Sequence, residues 1–211
     1  MSFIKQSNAN QAATILKNLS RRNIEGYFCE TCEEAVQKAL SLMPESSSIS
    51  WGGSMTLTEC GLMDALKTGN YTLIDRAAAT TPEEKRALYA KTVLADYFLM
   101  STNAITMDGE LVNIDGTANR VSCLCYGPSH VLILAGMNKV VNNVQAGLDR
   151  IRTKAAPPNT NRLGLKTPCS MTGACQDCYS PDCICSQIVI TRRSGIKDRI
   201  KLILINEDLG F

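Results

Sequence analysis

Ser48-Ile49-Ser50-Trp51-Gly52-Gly53-Ser54-Met55-Thr56-Leu57 carries the reading of the fold. A short extended run ends in two glycines, and hydroxyl residues then open a helix that continues to about Thr68. That is the strand–turn–helix unit of a parallel sheet. The same alternation extends in both directions. Toward the N-terminus, Gln6 to Arg22 places Ala12, Ile15, Leu16 and Leu19 on one helical face. Tyr27-Phe28 follows as a strand. Thr31-Cys32-Glu33-Glu34 has the form of a capping box opening a helix to about Leu42. Toward the C-terminus, Thr72 to Ile74 is a strand. Thr81-Pro82-Glu83-Glu84 then supplies an N-cap, a first-turn proline and an N3 glutamate for a helix to about Ala95. The pattern predicts an α/β fold with a mainly parallel open sheet flanked by helices.

The middle of the chain changes character. Tyr97 to Ser101 is a strand. Met107-Asp108-Gly109-Glu110, between Ala104–Thr106 and Leu111–Ile114, predicts a β-hairpin insertion. Residues 115–120 form a polar loop leading into a short helix containing Val121 and Leu124. Val131 to Leu134 reads as a buried strand, Asn142 to Lys154 as a helix, and Ala155 to Gly164 as a Pro- and Asn-rich linker. Ile188–Thr191 and Lys201–Ile205 close the chain as strands. With 211 residues, a single domain over 1–211 is expected, including an N-terminal helix within 1–25 and a Cys-rich loop over 165–186.

Composition excludes several classes. Hydrophobic residues are 45% and charged residues 20%, which argues against disorder. No apolar run is long enough to span a membrane, and Met1 to Asn10 has no apolar core of a secretory signal, so a cytoplasmic location is expected. Only one His is present, His130, at the mouth of a core strand, where a structural role is expected. From Arg120 to Lys201 there are 12 basic and 4 acidic residues, while the rest of the chain is net acidic. A basic C-terminal half suits an anionic small molecule, an acidic partner or a solvated face. Nucleic acid is not expected, since motif and interleaved aromatics are both missing.

Two segments could bind such an anion. Gly52, Gly53, Ser54, Met55 and Thr56 would present backbone N–H groups at a helix start, an arrangement suited to carboxylate or phosphate. The bland alternative is a tight turn with Ser54 or Thr56 as N-cap. The second segment offers Asn103, Thr106, Asp115, Gly116, Asn119 and Arg120. Arg120 there is available to pair an anion bidentately, unless Asp115 is merely an N-cap and Arg120 a surface residue.

Of the 10 cysteines, five fall within the 17 residues Cys169 to Cys185, spaced C-x5-C-x2-C-x4-C-x1-C. In a reduced compartment such a cluster suits thiolate ligation, with Gly173 and Pro181 permitting the turns. Tetrahedral zinc and an iron–sulfur cluster both fit this donor type, as does the plainer reading of inert thiols with a redox-active pair. Of the others, Cys29, Cys32, Cys60, Cys123 and Cys125, most read as core filler.

Taken together, the motifs resemble the LUD-domain family, in particular the lactate utilisation protein C group, formerly a domain of unknown function. The matching pieces include Gly52-Gly53-Ser54-Met55-Thr56-Leu57 with Glu59, Ser101-Thr102-Asn103-Ala104-Ile105-Thr106 with Asp108-Gly109, and Asn113-Ile114-Asp115-Gly116-Thr117 with Asn119-Arg120. They continue in Asn138-Lys139, Thr167-Pro168-Cys169, Asp177-Cys178, Ile184-Cys185 and Asn206-Glu207-Asp208-Leu209-Gly210. The resemblance implies a fold like the sugar-phosphate isomerase and CoA-transferase superfamily, with a pocket at the carboxyl ends of the strands. It also implies an accessory or redox role beside iron–sulfur proteins in lactate or related organic-acid oxidation, as a possible oxidoreductase subunit with an iron–sulfur partner. The chain lacks the ferredoxin-like domain and tandem cysteine motifs of that partner. The family's cysteine-bearing branch points to Cys169, Cys175, Cys178 and Cys185 as metal ligands, with Cys183 an extra. Two alternatives stand beside this reading. One is an isomerase- or CoA-transferase-like enzyme with Glu59 or Asp115 as acid/base; the other is a non-enzymatic assembly protein with structural zinc. A homo-oligomer is compatible with each. The Gly-Gly loop, the 101–120 segment and the cysteine loop are expected to face one cleft.

Overall fold

The computed structural model describes residues 2–211. In chain order the strands are β1 (Glu25–Cys29), β2 (Ser48–Trp51), β3 (Thr72–Ile74), β4 (Tyr97–Met100), β5 (Ala104–Thr106), β6 (Leu111–Asp115), β7 (His130–Gly136), β8 (Val140–Val141), β9 (Gln187–Thr191) and β10 (Ile200–Ile205). The α-helices are α1 (Phe3–Arg21), α2 (Cys32–Ser41), α3 (Met55–Glu59), α4 (Leu62–Thr68), α5 (Pro82–Val93), α6 (Asn119–Cys125), α7 (Val144–Arg150), α8 (Ala156–Arg162) and α9 (Pro168–Thr172). Six strands form a parallel sheet in the order β1-β10-β7-β4-β2-β3. The other four form a second sheet, β8-β5-β6-β9, built around the antiparallel β5–β6 hairpin.

Strand geometry explains why the first sheet is covered on both faces. Alternate residues of a strand point to opposite sides. On β7, Val131, Ile133 and Ala135 pack with Ala12, Ile15 and Leu19 of α1. Leu132 and Leu134 pack instead with Ala35 and Ala39 of α2, Leu57 of α3, and Leu62 and Leu66 of α4. A strand buried on both faces has to be apolar throughout, as Val131–Ala135 is. Each fully buried Leu or Ile of this kind contributes about 1.5–3 kcal/mol. Ala104, Val112 and Ile114 of the second sheet pack against Ile151 and Ala155.

The hairpin forms as predicted, with Gly109 at φ +84 and its N–H donating to Thr106 O at 2.8 Å. Its tip is fastened to the end of α1, where Arg22 Nε donates to Asp108 O at 2.6 Å. Three local expectations fail for identifiable reasons. The helix read through to Thr68 breaks at Gly61, whose φ of +83 no other residue adopts cheaply, giving α3 and α4. The Thr31 hydroxyl does accept from Glu34 N–H, but the Glu34 carboxylate reaches back to Glu30 N–H, so the reciprocal half of that capping box is not made. At Thr81 both halves form. The residues read as a linker, 155–164, are mostly helical. Residues Ile151–Ala155 form a π-helical turn, and Ala156 N–H donates to Ile151 O. Pro157 and Pro158 fall in the first turn of α8, where a missing N–H costs nothing. The two closing strands also separate, β9 to the second sheet and β10 to the first.

Gly136, at the end of β7, holds the C-terminal segment close. A Cβ there would stand 2.5 Å from Glu207 O and 2.8 Å from Leu209 N. Gly195 has open space around it. Gly136→Ala is expected to cost about 1–3 kcal/mol in denaturant unfolding, as overpacking against backbone does. Gly195→Ala should stay within about 0.5 kcal/mol of wild type.

Candidate functional site

Parallel strands deliver their following loops to one edge of the sheet. Gly53–Thr56 follow β2, Ser101–Asn103 follow β4, Lys139 follows β7, and Gly210–Phe211 lie beyond β10. All line one cavity of about 320 Å³. Its far wall is the end of β6 with the following loop, Ile114–Thr117, Asn119 and Arg120, together with Asn159, Arg162 and Leu163 of the α8 region, Arg76 and Ile184. Four basic side chains, Arg76, Arg120, Lys139 and Arg162, line it against one acidic side chain, Asp115.

Lys139 is the most unusual of these. It is 3% exposed, in a short turn between β7 and β8. Its Nζ donates to Thr56 Oγ1 at 2.8 Å and to Ser101 Oγ at 3.0 Å. Among the described residues no carboxylate pairs with it. Burial, reinforced by the nearby Arg150 and Arg120 charges and only partly offset by Glu59, pulls its pKa down to about 7. Sequence reasoning places Lys139 only within the Asn138-Lys139 pair, and nothing in its immediate neighbours, Met137 to Val141, marks it as a site residue.

Arg120 has a different role from the one expected. Nε pairs with Asp115 Oδ2 at 3.3 Å. Nη1 donates to Asn113 Oδ1 at 2.5 Å and Ser101 O at 3.4 Å, and Nη2 to Asn103 Oδ1 at 3.0 Å and Ile114 O at 2.8 Å. The two terminal nitrogens thus make four hydrogen bonds within the protein, and Nε lies in an ion pair with Asp115. Arg120 is a structural hub rather than a bidentate anion clamp, and Asp115 is its partner rather than an N-cap or a free acid. Arg76, by contrast, has a buried Nε without an acceptor among the described residues. Among the described residues, the Arg162 guanidinium bonds only within its own turn, to Asn159 Oδ1.

The other sequence candidates divide. Gly53, Ser54, Met55, Thr56, Asn103, Gly116 and Asn119 line the cavity. Gly52 sits behind it, its N–H donating to Leu99 O at 2.9 Å. Ser54 caps α3, accepting from Leu57 N–H at 3.5 Å. The N–H groups of Gly53, Ser54, Met55 and Thr56 find no protein acceptor among the described residues. Helix α3 has only five residues, so the cations rather than a helix dipole set the local potential. Thr106 is outside the cavity, accepting from Glu110 N–H in the hairpin turn. Glu59 is exposed and does not line the cavity; it accepts at 2.6 Å from the N–H of Gly210, which does.

The cysteine loop forms a neighbouring pocket of about 60 Å³, lined by Cys169, Cys175, Cys178, Cys183 and Cys185. No cysteine lines the larger cavity, contrary to the expectation of one cleft. Instead the two share a wall, Ile114 and Ile184. Ser186 N–H donates to Asp115 O at 3.0 Å, and a Cβ on Gly116 would lie 3.2 Å from Ile184 Cα, so glycine permits this approach. Cys183, the extra cysteine, lines this pocket together with the other four. Burial first, then Cys183, Cys175 and Cys169, push the Cys185 thiol up to about 12. The donor set fits a thiophilic metal in kind. All five lining sulfurs are thiols, Asp177 N–H points at Cys175 Sγ at 3.4 Å, and the Thr160 and Thr167 hydroxyls lie 3.6 and 3.2 Å from Cys169 Sγ. Among the described residues, however, no three potential ligands already converge on one point, so the expected four-cysteine convergence is not formed.

Fold and site together define an open parallel α/β protein with a cation-lined cavity at the carboxyl edge and a thiol pocket behind it. The chain belongs to the LUD domain family, whose model matches residues 12–205. Among solved structures, a DUF162 family protein from Deinococcus radiodurans is similar in fold, with TM-score 0.54 and 12% identity over 94% of this chain and 98% of that one. More distant similarities are to eIF2B delta from Chaetomium thermophilum (TM-score 0.37, 19% identity, 56% of this chain, 50% of that one) and to the tetrameric eIF2B-beta2-delta2 complex from C. thermophilum (0.41, 17%, 82%, 55%). The curated proteins give no match. Among the described residues no helix is long and apolar enough to cross a membrane.

Two outcomes follow from this geometry. Lysine in the fork of Arg120 has three donors for five positions, so Arg120→Lys should cost about 1–3 kcal/mol in chemical unfolding despite keeping the charge. Lys139 titrates near 7 when folded, against about 10.4 when unfolded, so between those values the unfolded chain binds the extra proton. Its penalty on wild-type stability is therefore full at low pH and relieved as pH rises. Lys139→Met removes it. The melting temperature of the variant minus that of wild type should fall between about pH 6 and pH 10; a flat difference would contradict the titration.

Proposed function

We propose that the protein is an accessory component of lactate or related organic-acid utilisation that binds a small anionic ligand, carboxylate or phosphate, in the carboxyl-edge cavity. Family membership supports the accessory role. The observation that carries the ligand class is the charge of the lining: four basic side chains face a single carboxylate, already neutralised by Arg120, while Arg76 Nε lacks an acceptor. An anion would be held by Lys139, Arg76 and Arg162 and by the N–H groups of Gly53 to Thr56. Glu59 lies outside the cavity and Asp115 is engaged, which leaves the isomerase- or CoA-transferase-like alternative without its named acid/base.

The thiol pocket is proposed as the site of a cysteine-ligated metal, an iron–sulfur cluster or alternatively zinc. Cys169, Cys175, Cys178 and Cys185 would hold it after moving inward, with Cys183 spare. A bound cluster would supply one-electron redox chemistry, consistent with an iron–sulfur partner subunit, whereas zinc would supply only structure.

Calorimetry tests the ligand class. Lactate, pyruvate and phosphate are to be titrated at low salt, with at least one expected to bind. Lys139→Met and Arg162→Ala should each weaken that binding by about tenfold, the equivalent of 1.4 kcal/mol. Unchanged affinity in both variants would overturn the cavity assignment. Metal analysis and absorption spectra of anaerobically purified protein test the thiol pocket. Single Cys→Ser changes at 169, 175, 178 and 185 should each lose bound metal while Cys183→Ser keeps it. Full metal content in two of the four would refute that ligand set.

A further inference from the structure

An amine placed only to hold an anion gains from being charged and is usually left with its charge supported. Lys139 is placed otherwise. It is buried, hydrogen-bonds two hydroxyls rather than a carboxylate, and has the Arg120 and Arg150 charges nearby, with Glu59 only partly opposing them. Thr56 Oγ1 donates its own proton to Leu209 O at 3.2 Å, so it can only accept from Lys139, and Ser101 Oγ lies within hydrogen-bond reach of Thr102 O at 3.4 Å. A neutral amine has two N–H donors and one lone pair. The two hydroxyls take both donors and fix the rotation of the amine, leaving the lone pair for the cavity that Lys139 lines.

We propose that Lys139 forms an imine with the carbonyl carbon of a small 2-oxo carboxylate seated in the cavity. The inference rests on the anion-binding reading and adds to it the carbonyl beside the carboxylate. The carboxylate would lie toward Arg76 and Arg162, whose lining positions leave donors uncommitted, and the adjacent carbonyl toward Lys139. The lone pair of Nζ attacks the carbonyl carbon, forming the C–N bond as the C=O π pair moves to oxygen, which takes a proton. Nζ gives up a proton, and the carbinolamine hydroxyl leaves as water after gaining one from solvent. The product is an iminium, so one amine, one carbonyl and one proton give one iminium and one water, with no change of oxidation state. The positive iminium then lies beside the carboxylate of its own ligand, which offsets its charge in a buried place. A lowered amine pKa is the usual condition of such lysines, and burial supplies it here.

The full-length protein is incubated with pyruvate and sodium cyanoborohydride, digested without relying on cleavage at lysine, and its peptides are weighed. The expected result is a reduced pyruvate adduct concentrated on the peptide holding Lys139, suppressed by excess lactate, which has the carboxylate but no carbonyl. Lys139→Met should lose the adduct; because the adduct is mapped on the wild-type chain, a folding defect in the variant leaves the site assignment standing. No adduct, or label spread over exposed lysines, overturns the imine. If calorimetry still detects lactate or pyruvate, the anion-binding reading survives that result. If neither ligand binds and nothing is trapped, both fail.

Discussion

The Arg120 guanidinium is the fastening on which the rest of the site depends. It joins Ser101 O, just past β4, to Asn103 before β5 and to Asn113, Ile114 and Asp115 of β6. Among the described residues the two sheets share no strand, so this fan of four hydrogen bonds and one ion pair ties the hairpin sheet over the carboxyl edge of the parallel one. The ion pair with Asp115 is itself largely buried, and removing either member of such a pair costs more than the pair contributes, because the survivor is left charged without a partner. The cavity exists because that attachment holds its far wall at a fixed distance.

The two central cations therefore divide their roles. Arg120, saturated, builds the cavity; Lys139, held by two hydroxyls, is left with capacity for a ligand. Behind the far wall, Ile184 and Ile114 line both the cavity and the pocket of five thiols. The Gly116–Ile184 approach and the bond from Ser186 N–H to Asp115 O join the two walls, so the two pockets are adjacent without being one site.

Much of the fold was legible in the sequence, since local signals and tertiary packing agree there. Val131–Leu134 read as a buried strand and is one, Asp108-Gly109 turned the hairpin, and Thr81–Glu84 capped its helix. The failures come where long-range geometry overrides local pattern. Pro157-Pro158 read as linker because prolines break helices, yet a π-turn lets them open a new one. Arg120 read as a free anion partner because sequence cannot count the acceptors that the hairpin and β4 bring to it. Glu59 was drawn toward the site by its nearness in sequence to the Gly-Gly loop, whereas the helix turns it out to Gly210. Lys139 stands in the Asn138-Lys139 motif with nothing local to mark it, because its burial and its lack of a carboxylate are properties of the assembled sheet edge.

The chemistry of the cavity turns on the state of one amine, and NMR of protein carrying ¹³C-labelled lysine ε-carbons reads it directly. The Lys139 resonance is predicted to titrate near neutral pH, apart from the exposed lysines, and to shift toward the protonated position when lactate fills the cavity and its charge favours the ammonium. A Lys139 resonance that titrates with the exposed lysines and does not respond to lactate, pyruvate or phosphate would contradict it.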